Sequence, residues 1–323
     1  MDQEELESLP LPVAHALDMV VPEIRKLFDD ILKYRVDPAG LYYGVTQQSL
    51  VQQIAELPVD RVVALDSEYR YERKGHMYDP TLQSFVQGAG GQISTWSKEE
   101  NTNTPAVLRG ITKRKQMDTC RANGRDFYYI DTGYFGNGKK KNYHRITRND
   151  VQNFGPVRER PSDRLDGTGV SLKKVRAEGS KILLAPPSQK LLNLYDIDLE
   201  TWLNQTLAEI GAHTDREVVV RRKQGRSTRI NDDTIEMALS QDVYCLITYS
   251  SIAAGEAILF GKPAITLGPN AAAAVCSTSI AEIETIKRPS LDEISAWARH
   301  LAYCQFTESE MRDGTAWRIL NDG

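Results

Sequence analysis

The sequence predicts an α/β protein built from two Rossmann-like domains facing a central cleft. Three observations point there. The 323 residues are enough for two domains of ordinary size. From about residue 179 onward, apolar strand-like runs alternate with helical spacing. Those runs are continuous rather than alternating, as in a parallel sheet covered on both faces. The first half is also α/β, but less regular. The expected division is 1–178 and 179–323.

In order along the chain, 12–34 reads as mostly helical, GLYYG (40–44) as a short strand and the QQSLVQQIAEL stretch as a helix. DRVVALD (60–66) is a strand ending on a carboxylate. Residues 70–105 are polar and rich in Gly, Thr and Asn, and read as a long loop. KRKQMDTCRANG (113–124) is a basic helix, RDFYYIDTGYFGNG (125–138) a strand entering a Gly-rich loop, and YHRITR (143–148) another strand. SDRLDGTGVSLKK (162–174) connects the halves. Strands follow at 181–189, 217–224, 243–251 and 263–268, and helices at 201–213, 232–241 and 252–261. The segment 291–320 reads as helical throughout, with Trp297, Tyr303, Phe306 and Trp317 as core anchors.

No apolar run is long enough to span a bilayer, and the start, MDQEELESLPLP, is too acidic for a secretory signal. Cys120, Cys245, Cys276 and Cys304 lie far apart without CxxC spacing, which predicts free thiols and a cytoplasmic setting, the host cytoplasm if the protein is viral. The net charge of −4 is unevenly distributed. Residues 109–176 carry 17 Lys/Arg against 7 Asp/Glu, a local +10 in a chain otherwise at −14. A polyanion docked at one place would explain that split, as would a solvated loop region.

The stretch TYSSIAAGEAILFGKPAIT (248–266) carries most of the chemistry. Tyr249, Ser250 and Ser251 stand at a strand's carboxyl end, where open parallel sheets bind ligands. They also open a helix whose free N–H groups and dipole favour an anion. Glu256, about one and a half turns in, is placed to reach a ribose hydroxyl pair. Two further loops leave the same sheet edge. One holds Ser188 and Lys190, the other Arg221 and Lys223, and cations there suit a pyrophosphate. Helix capping alone would also account for the serines. No GxGxxG follows a strand and no GxxxxGK[ST] is present, which argues against NAD and P-loop chemistry.

This strand–basic loop–helix–strand pattern, closing on Glu256-Ala-Ile-Leu-Phe-Gly261-Lys-Pro263, resembles the donor domain of GT-B glycosyltransferases over roughly residues 180–300. The resemblance implies a serine turn on the donor diphosphate and Glu256 on the ribose. It also implies final helices that cross back onto the first domain, a nucleotide-sugar co-substrate, expected to be a UDP-sugar, and no separate cofactor or metal. The strings LRGITKR, GRDFYYIDTGYFGNG and YHRITRNDVQ resemble phage-type proteins associated with glycosyltransferases that decorate modified bases in viral DNA.

An inverting transferase needs a base for the acceptor hydroxyl. Asp131 is the favoured candidate, because it ends a strand before a Gly-rich loop. Asp66 is in an equivalent position, and His144 is a further candidate because an unperturbed histidine titrates near neutrality. An Asp before Thr-Gly also commonly caps a turn. Lys113, Arg114, Lys115, Lys139, Lys140, Lys141, Arg145 and Arg148, followed by Arg158, Arg160 and Arg164, give a footprint suited to phosphates, with interleaved aromatics that suit an extruded base. DID (196–198) mimics a DxD metal motif but sits between helical segments.

These readings converge on sugar transfer from a nucleotide diphosphate donor to a hydroxymethyl-pyrimidine in double-stranded DNA, with no membrane partner. The first alternative is the same fold acting on a cell-surface or capsule-type polyanionic glycan. The second is a non-catalytic DNA-binding protein.

Overall fold

The computed structural model describes residues 63–66, 79–95, 104–111, 114–136, 142–222 and 234–322. The expected elements at 12–34, 40–44 and the QQSLVQQIAEL helix lie outside these residues. The described chain divides into two compact units. One holds the residues up to Arg109, Lys115–Tyr128 and everything from Glu308 on. The other holds Gly110–Arg114 and Tyr129–Thr307. Residues 129–178 therefore group with 179–307, whereas the sequence placed the division at 178.

The first unit opens with β1 (Val63–Asp66), α1 (Pro80–Gly88), β2 (Gln92–Thr95), β3 (Ala106–Arg109) and α2 (Arg114–Ala122). β1 pairs in parallel with both β2 and β3. The long loop expected over 70–105 contains α1 and β2 instead. α1 starts where it does because Asp79 caps it, accepting from the N–H groups of Thr81 and Leu82, and Pro80 stands at the first helical position. β4 (Phe127–Thr132) carries the chain into the second unit. The last helices of the chain, α9 (Glu308–Arg312) and α10 (Thr315–Asp322), belong to the first unit. Phe85, Tyr128 and Trp317 form its aromatic centre, with ring centroids 5.4–6.2 Å apart. Gly88 allows the close approach, since a Cβ there would lie 1.9 Å from the Met311 carbonyl oxygen.

The second unit continues from β4 with β5 (His144–Arg148), α3 (Asp163–Asp166), β6 (Lys181–Leu184), α4 (Gln189–Leu192), α5 (Leu199–His213) and β7 (Val218–Val220). Then come α6 (Ile235–Leu239), β8 (Val243–Thr248), α7 (Ala253–Phe260), β9 (Ala264–Thr266), α8 (Leu291–Ala302) and β10 (Gln305–Phe306). β10 interrupts what the sequence presented as one helical run, and it pairs antiparallel with β5. Its two residues lie between Cys304 and Thr307, and Phe306 with Thr307 gives the segment the aromatic and β-branched character of a strand.

β6 to β9 form a four-stranded, wholly parallel sheet in the order β7–β6–β8–β9. Leu183, Leu246, Ala254, Ile258 and Trp297 fill the core on one face. Ile182, Leu184, Trp202, Ile247 and Ile283 fill it on the other. The continuous apolar runs are thus explained by burial on both sides. Residues Leu165 and Val175 of the connecting segment join the first of these cores. That burial is why 129–178 belongs with this sheet.

Candidate functional site

Strand order reverses between β6, which is first in the chain, and β8, which is third. At such a reversal the loops after the two strands leave for opposite faces and open a crevice beyond their carboxyl ends. The loop after β6 runs Ala185-Pro186-Pro187-Ser188, and the loop after β8 runs Tyr249-Ser250-Ser251-Ile252. They are tied at the base, where the Thr248 hydroxyl donates to the Ala185 carbonyl at 2.6 Å.

The turn after β8 is held mainly by its carbonyl groups and hydroxyls. The Gln152 amide donates to the Ser250 carbonyl at 2.9 Å. The Asn270 amide donates to the Ser251 carbonyl at 2.8 Å. The Ser250 hydroxyl donates to the Pro269 carbonyl, and the residue is 1% exposed. Ser251 accepts from the Ala253 N–H at 3.3 Å, so it caps the turn into α7. The expected phosphate contact by the Ser250 hydroxyl is therefore replaced by a structural one. The first N–H groups of α7 have no carbonyl four residues back within the helix. Of these, the Ala253 N–H goes to the Ser251 hydroxyl, the Ala254 N–H to the Ser251 carbonyl at 3.4 Å and the Glu256 N–H to the Ile252 carbonyl at 3.1 Å, so the helix dipole is the anion-favouring feature of this turn.

α7 is made of small residues because it packs close. Ala253, Ala254 and Ala257 are buried, and a Cβ on Gly255 would meet the Trp297 ring at 3.4 Å. Glu256 is half-buried one turn into the helix. Gly261 closes α7 at φ 93°, a conformation glycine adopts without strain, and Pro263 leads directly into β9. The Lys262 ammonium donates to the Glu178 carbonyl at 2.8 Å. The Gly-Lys-Pro segment thus ends the helix and starts the strand.

An aromatic wall completes the crevice. The Tyr249 ring lies edge-on to Tyr195 and Trp202, with centroids 5.3 and 6.3 Å away. The Tyr195 hydroxyl reaches across to the Ser250 hydroxyl at 3.4 Å. Gly268 makes room for this ring, since a Cβ there would sit 2.5 Å from it. Sequence reading passes over Tyr195 and Gly268. Tyr195 lies in a short 3-10 turn remote from the strand ends, and nothing in its neighbours marks it.

The other donor-side residues are less concentrated. Ser188 caps α4 by accepting from the Leu191 N–H, and Lys190 is exposed. Arg221 continues β7 through a main-chain bond to Leu184. Arg222 makes a two-point ion pair with Glu200, at 2.6 and 2.8 Å. Lys223 lies outside the described residues.

At the other strand end, Asp131 is closely engaged. Its carboxylate accepts from the Tyr129 hydroxyl at 2.8 Å, the Thr132 N–H at 2.7 Å and Arg145 at 3.2 Å. Arg145 is 6% exposed and sits against the Tyr129 and Tyr134 rings. Burial opposes its charge, but Asp131, Tyr134 and Tyr129 outweigh burial and hold its pKa above the ordinary value. Burial, with the Asp131 charge beside it, raises the Tyr129 phenol far above its usual range. The turn beyond is clamped by Gln305, which accepts from the N–H groups of Tyr134 and Phe135 and donates to the Phe135 carbonyl.

His144 opens β5 opposite Phe306 and is 9% exposed. Asp66 ends β1 in the first unit.

Several cations expected on a nucleic acid are placed elsewhere. Arg145 is the buried partner of Asp131. Arg114 grips the Asp196 carboxylate through two bonds of 2.6 Å and also reaches the Asn193 carbonyl. Lys115 and Arg148 are exposed, while Lys113 and Lys139–Lys141 lie outside the described residues. Tyr128, Tyr129, Tyr134 and Phe135 are all at most 7% exposed, so these aromatics pack the interior rather than face a flipped base. The DID segment is also structural, since Asp198 caps α5 and Asp196 holds Arg114. No cluster of His, Cys, Asp or Glu that could hold a metal occurs among the described residues. Nor is any helix among them long and apolar enough to cross a membrane.

No protein-family model matches the chain, and no curated protein matches its sequence. Solved structures similar to it include two Thermosulfurimonas dismutans KpsC structures. The beta Kdo 2,4 transferase is 17% identical with a TM-score of 0.46, the match covering 74% of this chain and 90% of that one. The beta Kdo 2,7 transferase is 14% identical, with the same TM-score and coverage.

Proposed function

We propose that the chain is a glycosyltransferase that takes its sugar from a nucleotide-diphosphate donor held in the β6/β8 crevice. The observation that carries this reading is the strand reversal itself, with the Ser250–Ser251 turn and the amino end of α7 at its mouth. An anion there meets the positive end of the α7 dipole, which favours it without a metal. Glu256 takes the ribose, and the Tyr195–Tyr249 wall lies beside the nucleoside. A UDP-sugar is the donor to test first.

For the acceptor, a capsule-type polyanionic glycan is the reading we favour over duplex DNA. A DNA footprint needs cations arrayed along a backbone, and two of the arginines proposed for it, Arg145 and Arg114, are already paired with Asp131 and Asp196. Transfer to hydroxymethyl-pyrimidine DNA remains the second reading. Exposed Lys115 and Arg148 keep it worth testing.

Glu256→Ala should weaken UDP binding by about ten- to a hundredfold, the loss of one hydrogen bond to a charged group, with little change in melting temperature. Calorimetry with UDP checks this, and an unchanged affinity removes Glu256 from the donor site. Mass analysis after incubation with UDP-sugars and either acidic oligosaccharides or hydroxymethyl-pyrimidine DNA distinguishes the acceptors.

A further inference from the structure

The turn that brings Tyr195 to the β6/β8 crevice is clamped twice. It runs from the end of α4 through Asn193-Leu194-Tyr195 to Asp196, and on to α5. The first clamp is local. The Gln189 amide donates to the Asn193 side-chain oxygen at 2.6 Å and to the Ile197 carbonyl at 3.0 Å, and the Gln189 oxygen accepts from the Leu199 N–H at 2.9 Å. The second clamp is Arg114, which lies 79 and 82 residues from its partners in the chain. Its guanidinium meets both oxygens of the Asp196 carboxylate at 2.6 Å and also donates to the Asn193 carbonyl. One group thus brackets Tyr195 from both sides. Arg114 and the whole turn belong to the second unit.

Three features set this clamp apart from a pair that merely stabilises the fold. It is open to water, since the Arg114 and Asp196 side chains are 37% and 77% exposed. Pairs so exposed contribute little to stability. The planar guanidinium holds the carboxylate at two points, which fixes orientation as well as distance. Asp196, directly after Tyr195, takes a left-handed backbone conformation with φ 55° and ψ 36°, uncommon outside glycine. The clamp therefore grips the residue on which the course of this short turn depends.

What it holds is one side of the aromatic wall. Tyr195 and Tyr249 are half-buried, while Trp202 is 7% exposed. The edge-on contact of the Tyr195 and Tyr249 rings, and the approach of the Tyr195 and Ser250 hydroxyls, link this turn to the one after β8.

We propose that Arg114 is a positioning residue for the nucleoside of the donor: through Asp196 and the Asn193 carbonyl it fixes Tyr195 against Tyr249, so that the wall is formed before the base arrives. The proposal rests on the reading of the β6/β8 crevice as the donor site and names the end of the donor that this turn serves. A wall ordered in advance spares binding the cost of ordering it. The effect is confined to the nucleoside, because the diphosphate meets the α7 dipole instead.

The test is calorimetry on the full chain with UDP and with inorganic pyrophosphate, which shares the diphosphate and lacks the nucleoside. R114Q and D196N should each weaken UDP binding about three- to tenfold, the cost of ordering one or two side chains on binding. Pyrophosphate affinity and melting temperature should stay unchanged. The two changes remove one interaction, so the double variant should bind UDP no worse than either single one. Y195A should weaken UDP binding by itself, and adding R114Q to it should cost nothing further. A merely structural role for Arg114 would not give that result, and this cycle decides the point if pyrophosphate binds too weakly to measure. Unchanged UDP affinity in R114Q overturns the proposal. So does an equal loss of UDP and pyrophosphate, or a further loss when R114Q is added to Y195A. If R114Q does not fold, R114K keeps the charge without the two-point grip and should show the same selective loss; full UDP affinity in R114K then refutes the clamp. Failure of UDP to bind the unaltered protein overturns the donor reading and this proposal with it, whereas UDP binding that R114Q leaves intact overturns this proposal alone.

Discussion

Two turns of the second unit look alike in sequence and are built in opposite ways. The turn after β8 carries two serines and the turn after β4 follows an aspartate, so each presents polar groups at a strand's carboxyl end. After β8, Gln152 and Asn270 hold the Ser250 and Ser251 carbonyls, and Ser251 accepts from the Ala253 and Ala254 N–H groups through its hydroxyl and carbonyl. After β4, Gln305 takes the N–H groups of Tyr134 and Phe135, and the Asp131 carboxylate is held by Tyr129, Thr132 and Arg145. The first clamp holds the turn by its carbonyls and sets the positive end of the α7 dipole at the strand end. The second consumes donors and acceptor together. Polar residues at a strand end therefore do not mark a site by themselves, because the turns that hold them use most of their hydrogen-bonding groups.

The largest expected effect tests the second turn. Asp131→Asn leaves buried Arg145 without its counter-ion and should cost about 3 kcal/mol of stability, at the low end for such pairs because Asp131 is itself a third exposed. Denaturant unfolding measures it. Unchanged stability with turnover reduced 10²–10⁴-fold would instead return Asp131 to the role of general base. Gln305→Leu keeps the volume but leaves two buried N–H groups unpaired, and should cost about 2 kcal/mol. UDP affinity should not change, and a change would mean the two turns are coupled.

In the first turn, Asn270→Ala should cost only about 1 kcal/mol of stability but should weaken UDP binding as the Ser251 carbonyl loses its anchor. Equal affinity would show that the turn keeps its shape without Asn270. The smallest effect concerns pH. The folded-state pKa of His300 is depressed, so the unfolded chain binds more protons as pH falls below about 6.5. The stabilisation is present above that pH and lost on acidification. His300→Gln should flatten this limb of a melting-temperature profile between pH 5 and 7, and an unaltered limb assigns it to other groups.

Much of the parallel sheet is legible in the residues themselves. Continuous apolar runs such as VYCLIT predict strands buried on both faces, and small residues with Gly261 and Pro263 predict a short helix that stops abruptly. These signals are local, set by side-chain size, burial and backbone freedom within a few residues. The start of α1 is equally local, through Asp79 and Pro80, but its polar surroundings conceal it.

What the tertiary structure alone decided was which polar groups are already satisfied. Arg145 and Asp131 are fourteen residues apart and give no sign in sequence that each neutralises the other. Ser250 reads as a ligand until Pro269 takes its hydroxyl. Arg160 and Tyr303 are separated by most of the second unit, and only packing sets the Arg160 guanidinium 5.2 Å from the Tyr303 ring. The sequence determined where strands, helices and charges fall. Hydrogen-bond satisfaction and ion pairing depend on distances across the fold, so only the folded chain decided which of those charges remain available to a ligand.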